Sequence, residues 1–253
     1  MPRRGKPRLL HPADGFATLA QPNPGHPPPG SPDGIDRMSS ATLFISSRNY
    51  SSWSLRGWLM TRLAGLDVVV QRVAPDDPAA RLELLMRASS ILLPTLVHDG
   101  ISLWDTLAIA EYLHETFPNA KLYPADRAAR ARARSISGEM HSGFEALRAS
   151  LPMNLRRLVP GFAIWSGVQA DIDRICAIWR DCLAQSGGPY LFGAHPTVPD
   201  AMYAPVATRF VTYDVKLDPV CGTYVDTLMA WPFLREWRDE ALREPEEIEE
   251  LDV

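Results

Sequence analysis

The sequence predicts a small α+β domain followed by an all-helical domain. Up to about residue 120, short runs rich in β-branched residues alternate with amphipathic helical patterns. Beyond residue 126, strand-like runs nearly vanish, and apolar residues recur at helical spacing over segments of helix length. We therefore divide the chain into a Pro/Gly-rich tail (1–39), the α+β domain (40–120), a linker (121–126) and the helical domain (127–253).

Composition limits the class of protein and its partners. The apolar fraction of 46% and the formal net charge of −4 indicate a globular protein with a sizeable core and argue against a nucleic-acid binder. No apolar run is long enough to span a bilayer. The three cysteines, at 176, 182 and 221, lack metal-ligand or redox-motif spacing, so we expect a reduced, cytoplasmic protein without a bound metal. The tail is too rich in proline for helix or sheet, and we expect it to be disordered.

The α+β domain is predicted to run strand, helix, strand, helix, hairpin, helix. The corresponding runs are 41–45, 55–63, 67–73, 77–87, 91–97 with 101–104, and 107–114. A crossover helix makes the first two strands parallel. This order is that of a thioredoxin-like layer.

A polar stretch with three serines separates the first strand from the first helix. Ser51, Ser52 and Ser54 would therefore lie at a helix N-terminus. Free backbone N–H groups and a partial positive charge favour an anion there, including a thiolate, and a hydroxyl could donate one further hydrogen bond. The alternative is that one of these serines only caps the helix, because serine is a preferred cap.

Two later positions each allow either a binding role or an ordinary structural role. Pro94 interrupts a predicted strand, which would leave the peptide group of Leu93 free to pair with an extended peptide; an ordinary trans proline at a strand start is the alternative. Asp105 and Thr106 precede the next helix. They could simply cap it, or a carboxylate and a hydroxyl at a helix start could hold both ends of an α-amino acid.

The helical domain is predicted to contain helices at 127–150, 170–186, 200–213 and 231–243. Thr197 and Asp200 have capping-box spacing and are interpreted as folding residues. Trp231 to Trp237 is expected in the core, and Glu244 to Asp252 is expected to be an acidic, solvated tail.

Several side chains of the helical domain are candidates for contact with a second substrate near the serines: Met140, His141, Phe144, Trp165, Arg209 and Tyr213. His141 has apolar neighbours, which also fits a structural histidine. Arg209 and Tyr213 stand one helical turn apart and could meet an acidic electrophile, or pair with carboxylates at the domain interface.

The order of these signals is more specific than any one of them. A serine turn after the first strand, Leu-Pro-Thr-Leu before a hairpin, and then Trp-Asp-Thr-Leu-Ala-Ile-Ala-Glu-Tyr-Leu resembles the N-terminal domain of the cytosolic glutathione transferases. Ser-Ser-Trp-Ser-Leu-Arg is most similar to the zeta-type Ser-Ser-x-Ser signature and its bacterial relatives. The resemblance runs from about residue 41 to the C-terminus. It implies the glutathione transferase fold, glutathione as co-substrate, no metal, and a homodimer.

The resemblance assigns roles around the thiol. It makes Ser51 the catalytic serine, with Ser52 and Trp53 lining the thiol site. Ser51 would donate a hydrogen bond to the glutathione thiolate, which then attacks a small hydrophobic electrophile.

The resemblance also assigns the rest of the glutathione site. The backbone of Leu93 would pair with the cysteinyl part of glutathione, and Pro94 would be a cis proline. Asp105 and Thr106 would hold the γ-glutamyl end. The sequence departs from the family at Leu92, where relatives usually carry a basic residue.

Other activities fit parts of the same pattern. The zeta-like signature also fits a glutathione-dependent cis–trans isomerase such as maleylacetoacetate isomerase. A non-catalytic binding module could keep the fold and lose thiol activation. A thiol-disulfide or dehydroascorbate-type reductase is disfavoured, because it needs a cysteine at the first helix and the first domain contains none.

Overall fold

A four-stranded sheet with the strand order β2-β1-β3-β4 forms the first layer of the protein. The computed structural model describes residues 41–74, 77–87 and 90–245. The elements of this layer are β1 (Ala41–Ile45), α1 (Ser52–Ala64), β2 (Val68–Arg72), α2 (Pro78–Arg87), β3 (Thr95–His98), β4 (Ile101–Trp104) and α3 (Thr106–Thr116). The predicted tail at 1–39 lies outside the described residues.

The strand pairing follows from the connections. β1 and β2 are parallel because α1 crosses over between them, as predicted. β1 pairs antiparallel with β3, and β3 pairs antiparallel with β4. Asp99 and Gly100 close the β3–β4 hairpin with φ of 49° and 78°, the two positive values that a tight two-residue turn of this kind requires.

Helices form the second layer. After a short 3-10 turn at Pro118–Ala120 come α4 (Arg127–Ser142), α5 (Glu145–Ser150), α6 (Ser166–Ser186), α7 (Val198–Thr212), α8 (Pro219–Ala230) and α9 (Pro232–Ala241). α7 is the central helix, and only Val211 of its residues is exposed. The thioredoxin-like first domain and all-helical second domain are therefore both present. None of the helices in the described ranges is long and apolar enough to cross a membrane.

The predicted capping box at the start of α7 is confirmed. The Asp200 carboxylate is completely buried and accepts from Thr197 N (2.8 Å), Thr197 Oγ1 (2.9 Å), Leu191 N (3.0 Å) and the Tyr224 hydroxyl (2.8 Å). Burial raises the pKa of Asp200, while these donors act in the opposite direction. Asp200 therefore serves folding.

Several predicted boundaries are wrong for identifiable reasons. The helix predicted at 127–150 is two helices, because Phe144 adopts φ 61° between them. α8 was not predicted, although Asp218 accepts from the N–H groups of Val220 and Cys221 and Pro219 occupies the first helical position.

The prediction of a solvated acidic tail from Glu244 is also wrong at its first residue. Glu244 is only 7% exposed, and its carboxylate contacts the loop between β1 and α1. The rest of that predicted tail lies outside the described residues, apart from Pro245. By contrast, Trp231 and Trp237 lie in the core, as predicted.

Candidate functional site

The loop between β1 and α1 together with the first residues of α1, residues 46–54, is here called the serine turn. Ser51 is the N-cap of α1, with φ −89° and ψ 97°, and its Oγ accepts from Ser54 N at 3.2 Å. The Ser51 hydroxyl donates to Ser54 Oγ at 2.9 Å, and the buried Ser54 Oγ also accepts from Ser46 N at 3.1 Å. Ser51 is therefore a true helix cap, but it is half-buried rather than enclosed. A hydroxyl has one donor and two acceptor positions, so capping leaves its proton able to turn towards an anion.

Pro94 lies against the helix that follows the serine turn. The Leu93–Pro94 peptide bond is cis, the geometry implied by the family resemblance. A Cβ on Gly57 of α1 would come within 2.7 Å of Pro94 Cγ, so only glycine allows this close approach. β3 begins at Thr95, which leaves the Leu93 backbone outside the strand.

Leu92, where relatives usually carry a basic residue, is 61% exposed. Its carbonyl accepts from Thr95 Oγ1 at 2.6 Å. The side chain therefore offers an apolar surface beside Leu93.

Asp105 caps α3 with an unusual backbone. Its φ is 75° and its ψ 131°, a conformation that costs a non-glycine residue about 1–3 kcal/mol and that is concentrated at functional sites. Oδ1 accepts from Leu107 N (2.7 Å) and Ala108 N (3.3 Å). Oδ2 does not take part in the cap and lies 3.1 Å from His141 Nε2. The carboxylate thus keeps one oxygen directed away from its own helix.

His141 of α4 joins the two predicted halves of the site. Besides its contact with Asp105, its Nδ1 lies 3.4 Å from Thr106 Oγ1, and its ring meets the Trp53 ring edge-on at 5.1 Å between centroids. Thr106 itself is only 1% exposed. In this structure His141 makes the polar contacts that the resemblance assigns to the γ-glutamyl end of glutathione.

Two arginines flank Trp53. Arg56 Cζ lies 4.7 Å and Arg148 Cζ 4.9 Å from the centre of its ring. Arg56 is 1% exposed and donates from Nε to Met202 O at 2.8 Å, while its Nη1 is buried without a partner among the described residues. Arg148 donates from Nη2 to the carbonyls of Met140 and His141.

This region concentrates positive charge, with Glu145 as an acidic neighbour of Arg148. Burial, with the nearby Arg209 and Arg148, lowers the pKa of Arg56 well below its usual value. Burial also lowers the pKa of Arg148, and it lowers the pKa of Arg209 to about 10. Within the described part of the chain, none of these three guanidinium groups pairs with a carboxylate. An anion near Trp53 would be attracted by all of them.

The other candidates for the second substrate lie deeper. Arg209 donates to Leu151 O (2.8 Å) and Pro205 O (3.0 Å), and the Tyr213 hydroxyl donates to Pro152 O (3.0 Å). The hydrogen bonds to these carbonyls use Nε and Nη1 of Arg209 and the hydroxyl of Tyr213, atoms that either expected role, binding an acidic electrophile or an interface carboxylate, would also use.

Three further candidates differ in how much surface they offer. Met140 and Phe144 are buried, at 1% and 7% exposure. Trp165 is 54% exposed and donates from Nε1 to Ser150 Oγ at 2.9 Å. Of the candidates from the helical domain, His141 is the one whose contacts reach both Trp53 and Asp105.

Sequence reasoning missed Arg56, Arg148 and Glu244. Arg56 falls one helical turn after Ser52 in the printed sequence, and that spacing alone would have placed it near the serine turn. Arg148 and Glu244 come from distant segments and carry no local signal.

One group in the described ranges could hold a metal ion. Ligand atoms of Cys176, Asp218 and Cys221 lie within 4.8 Å of one another, away from the serine turn on α6 and α8. Asp218 already caps α8 and pairs with Arg180 at 2.7 Å. Its oxygens are therefore engaged in helix-end contacts.

Both domains of the chain match models of known protein families. Residues 50–116 match the family model of the glutathione S-transferase N-terminal domain, and residues 126–240 match that of the C-terminal domain. Maleylacetoacetate isomerase of Rattus norvegicus is 32% identical over 70% of this chain and 81% of its own length. A probable maleylacetoacetate isomerase of Caenorhabditis elegans is 28% identical over 70% of this chain and 82% of its own.

Solved structures show the same fold. A glutathione transferase homologue from Burkholderia, with bound glutathione, has a TM-score of 0.60 at 23% identity, covering 80% of this chain and 98% of its own. A maleylacetoacetate isomerase from Anaeromyxobacter dehalogenans, with dicarboxyethyl glutathione and citrate in its active site, has a TM-score of 0.56 at 23% identity, covering 82% and 97%. With both family domains matched in order, the chain belongs to the glutathione S-transferase family and is an enzyme of the glutathione transferase type.

Proposed function

We propose that this enzyme uses Ser51 to stabilise the thiolate of glutathione for attack on a small electrophile. The observation that carries the proposal is the position of Ser51, a half-buried hydroxyl at the N-terminus of α1. A free thiol is only a few per cent ionised at neutral pH, and the thiolate is the nucleophile. A donated hydrogen bond and the helix N-terminus both favour the charged form, so both lower the pKa of the bound thiol.

Ser51 can change partner at small cost. Its proton now lies towards Ser54 Oγ, but Ser54 Oγ keeps the hydrogen bond from Ser46 N when Ser51 turns to the sulfur. Ser51 also keeps its capping bond from Ser54 N, because that bond uses an oxygen lone pair. Capping and thiolate stabilisation are therefore compatible roles of one hydroxyl.

The rest of glutathione is proposed to extend across the first domain. The backbone of Leu93, beside the cis Pro94, would pair with the cysteinyl part, and Ser52 and Trp53 would line the thiol site. The γ-glutamyl ammonium would meet the outward oxygen of Asp105. The γ-glutamyl carboxylate would meet Thr106, which requires His141 to give up its contacts there.

The test follows thiolate ultraviolet absorbance of protein-bound glutathione across pH in the wild type, Ser51→Ala and Ser51→Thr. We expect the bound thiol to ionise well below the free thiol in the wild type and in Ser51→Thr, which retains the hydroxyl and the cap. Ser51→Ala should lose the shift and lower kcat by about 10². Binding without any shift in the wild type would instead favour the non-catalytic binding module.

A second candidate activity is glutathione-dependent cis–trans isomerisation of an acidic substrate. The observation that favours it is the unpaired positive charge around Trp53, especially Arg148, which is only half-buried. The similarity to maleylacetoacetate isomerases points the same way. The thiolate adds to a double bond conjugated with a carbonyl, and the π electrons of the double bond move onto the carbonyl oxygen. The resulting carbon–carbon single bond rotates, and return of the electrons expels the thiolate and restores the double bond.

Arg148→Met separates the two activities. If the substrate is acidic, the variant should raise KM for a cis-enone dicarboxylate at least tenfold while leaving KM for a neutral aryl halide unchanged. Equal effects on both substrates would assign Arg148 to the α4–α5 corner alone, where it holds the carbonyls of Met140 and His141.

We also propose a cytoplasmic homodimer acting in detoxification. Support for a dimer comes from exposed apolar side chains on the first domain, namely Leu82, Leu85, Met86, Ile91, Leu92, Ile101 and Trp104. Leu82, Leu85 and Met86 have the spacing of one face of α2, and a contiguous exposed apolar face marks a protein contact. Light scattering after size exclusion tests the mass, and Met86→Glu should shift it towards the monomer.

A further inference from the structure

Glu244, just beyond α9, holds the serine turn from the far end of the chain. Its carboxylate accepts from Ser47 Oγ (2.8 Å), from Arg48 N (2.8 Å to each oxygen) and from Asn49 N (3.2 Å). Its side chain is 6% exposed, although it lies close to the C-terminal limit of the described residues. A buried carboxylate that collects consecutive backbone N–H groups is a positioning contact and not a surface ion pair.

Two guanidinium groups complete the environment of this carboxylate. Arg48 Nη1 and Arg72 Nη1 both lie 3.8 Å from Glu244 Oε1, and they compensate the buried negative charge. The backbone of Glu244 is fixed as well, because its carbonyl accepts from Arg156 Nη1 at 2.8 Å. The carboxylate therefore cannot move without breaking contacts on several elements.

Ser47 connects this carboxylate to Ser51. The Ser47 hydroxyl gives its proton to Glu244 and accepts from Asn49 N (3.0 Å) and Tyr50 N (3.2 Å). The Ser47 carbonyl accepts from Ser51 N at 3.1 Å. Every backbone N–H from Arg48 to Ser51 is thus bonded to Glu244 or to Ser47.

We propose that Glu244 is a positioning residue that fixes Ser51 in the orientation needed to donate to the thiolate. The proposal rests on the proposed function of Ser51. Without the carboxylate, the N–H group of Arg48 loses its acceptor, that of Asn49 keeps only Ser47 Oγ, and Ser47 loses the partner that orients its hydroxyl. The serine turn would then sample other conformations, and the Ser51 hydroxyl would spend less time directed at the sulfur.

The sign of the effect separates positioning from direct electrostatics. Removing a negative charge near a thiol by itself favours the thiolate and lowers the pKa of the thiol. Loss of the positioned Ser51 donor acts in the opposite direction. A rise in the pKa of the bound thiol on neutralising Glu244 therefore cannot come from the missing charge.

The test compares Glu244→Gln with Glu240→Gln. Gln has the size of Glu, but its amide group brings donors where the backbone already donates. Glu240 is the matched control, because its carboxylate lies 4.0 Å from the same Arg48 but bonds no backbone group of the serine turn. The readouts are thiolate absorbance of bound glutathione across pH, KM and kcat with 1-chloro-2,4-dinitrobenzene, and hydrogen exchange of the amides at 47–51.

We expect Glu244→Gln to raise the pKa of the bound thiol and to reduce kcat about tenfold. KM for glutathione should change less than twofold. Amides at 47–51 should exchange faster, while those of α3 stay protected. Glu240→Gln should match the wild type. A wild-type shift that survives intact in Glu244→Gln would overturn the proposal.

Failure of the proposed function gives a different result. The wild type itself would then bind glutathione with no change in the pKa of the thiol. Exchange at 47–51 decides the positioning role in that case: faster exchange in Glu244→Gln alone supports it, and equal exchange in all three proteins overturns it. Circular dichroism and thermal unfolding identify any variant that fails to fold.

Discussion

Asp105 and Asp200 are both carboxylates at the start of a helix, and they differ in what their second oxygen does. Both oxygens of Asp200 are satisfied inside the core by four donors. Oδ1 of Asp105 accepts a hydrogen bond from its own helix, whereas Oδ2 faces His141. The Asp105 side chain is 42% exposed. A capping carboxylate is a candidate binding group when one of its two oxygens takes no part in the cap.

The backbone conformations support the same distinction. Asp105 holds φ 75°, outside the regions that side chains other than glycine prefer. Asp200 is an ordinary residue of the first turn of α7. Because the half-exposed carboxylate is strained and the buried one is fully hydrogen-bonded, we propose a ligand role for Asp105 and a folding role for Asp200.

The largest expected effect is a loss of folding stability on substitution of Asp200, whose two carboxylate oxygens are fully hydrogen-bonded. Asp200→Ala leaves the N–H groups of Thr197 and Leu191 and the Tyr224 hydroxyl without their acceptor in the core. We expect the free energy of unfolding to fall by at least about 3 kcal/mol. Denaturant unfolding measures it, and a loss below 1 kcal/mol would contradict the assignment of Asp200 to folding.

The next largest effect is expected on glutathione binding, at Asp105, whose Oδ2 takes no part in the helix cap. Asp105→Asn keeps a good helix cap but removes the charge that would meet the ammonium of glutathione. We expect Kd for glutathione to rise about tenfold or more, with the free energy of unfolding changed by less than about 1 kcal/mol. Calorimetric titration gives Kd. Unchanged affinity together with lower stability would make Asp105 a cap and nothing more.

The smallest effect is expected at a third capping aspartate. Asp126 is exposed at the start of α4 and accepts only from Ala129 N at 2.8 Å. Asp126→Ala should cost about 1 kcal/mol of unfolding free energy. Glutathione affinity should not change, which makes this variant the control for Asp105→Asn; a weaker Kd here would show that cap loss alone propagates to the site.

The sequence predicted the fold because its signals are local. Strand runs, the crossover helix and the capping box at Thr197 each depend on residues a few positions apart. The serines before α1 and the Asp105–Thr106 pair were placed correctly at helix starts for the same reason, whereas the strand predicted at 91–97 begins only at Thr95. α8 was missed because its apolar spacing is weak, although Asp218 and Pro219 mark its start.

The contacts that decide what the site can do are not local. His141 contacts Asp105, 36 positions earlier in the printed sequence, and no local sequence pattern predicts this contact. Arg148 meets Trp53 only because Phe144 breaks the helix between α4 and α5. Glu244 stands in a run of acidic residues that is typical of a solvated tail, and only tertiary packing buries it.

The bond between Asn49 and Glu244 joins residues 195 positions apart. Contacts of such sequence separation are slow to form, because closing a long loop costs the chain conformational entropy before the contact can stabilise it. Individual helices depend on local contacts and can form before the two layers pack together, whereas the serine turn is fixed only after distant segments such as Trp58 and Trp237 have met. In refolding from denaturant, helical circular dichroism should recover before the capacity to ionise glutathione, so the enzyme would pass through a native-looking but inactive state.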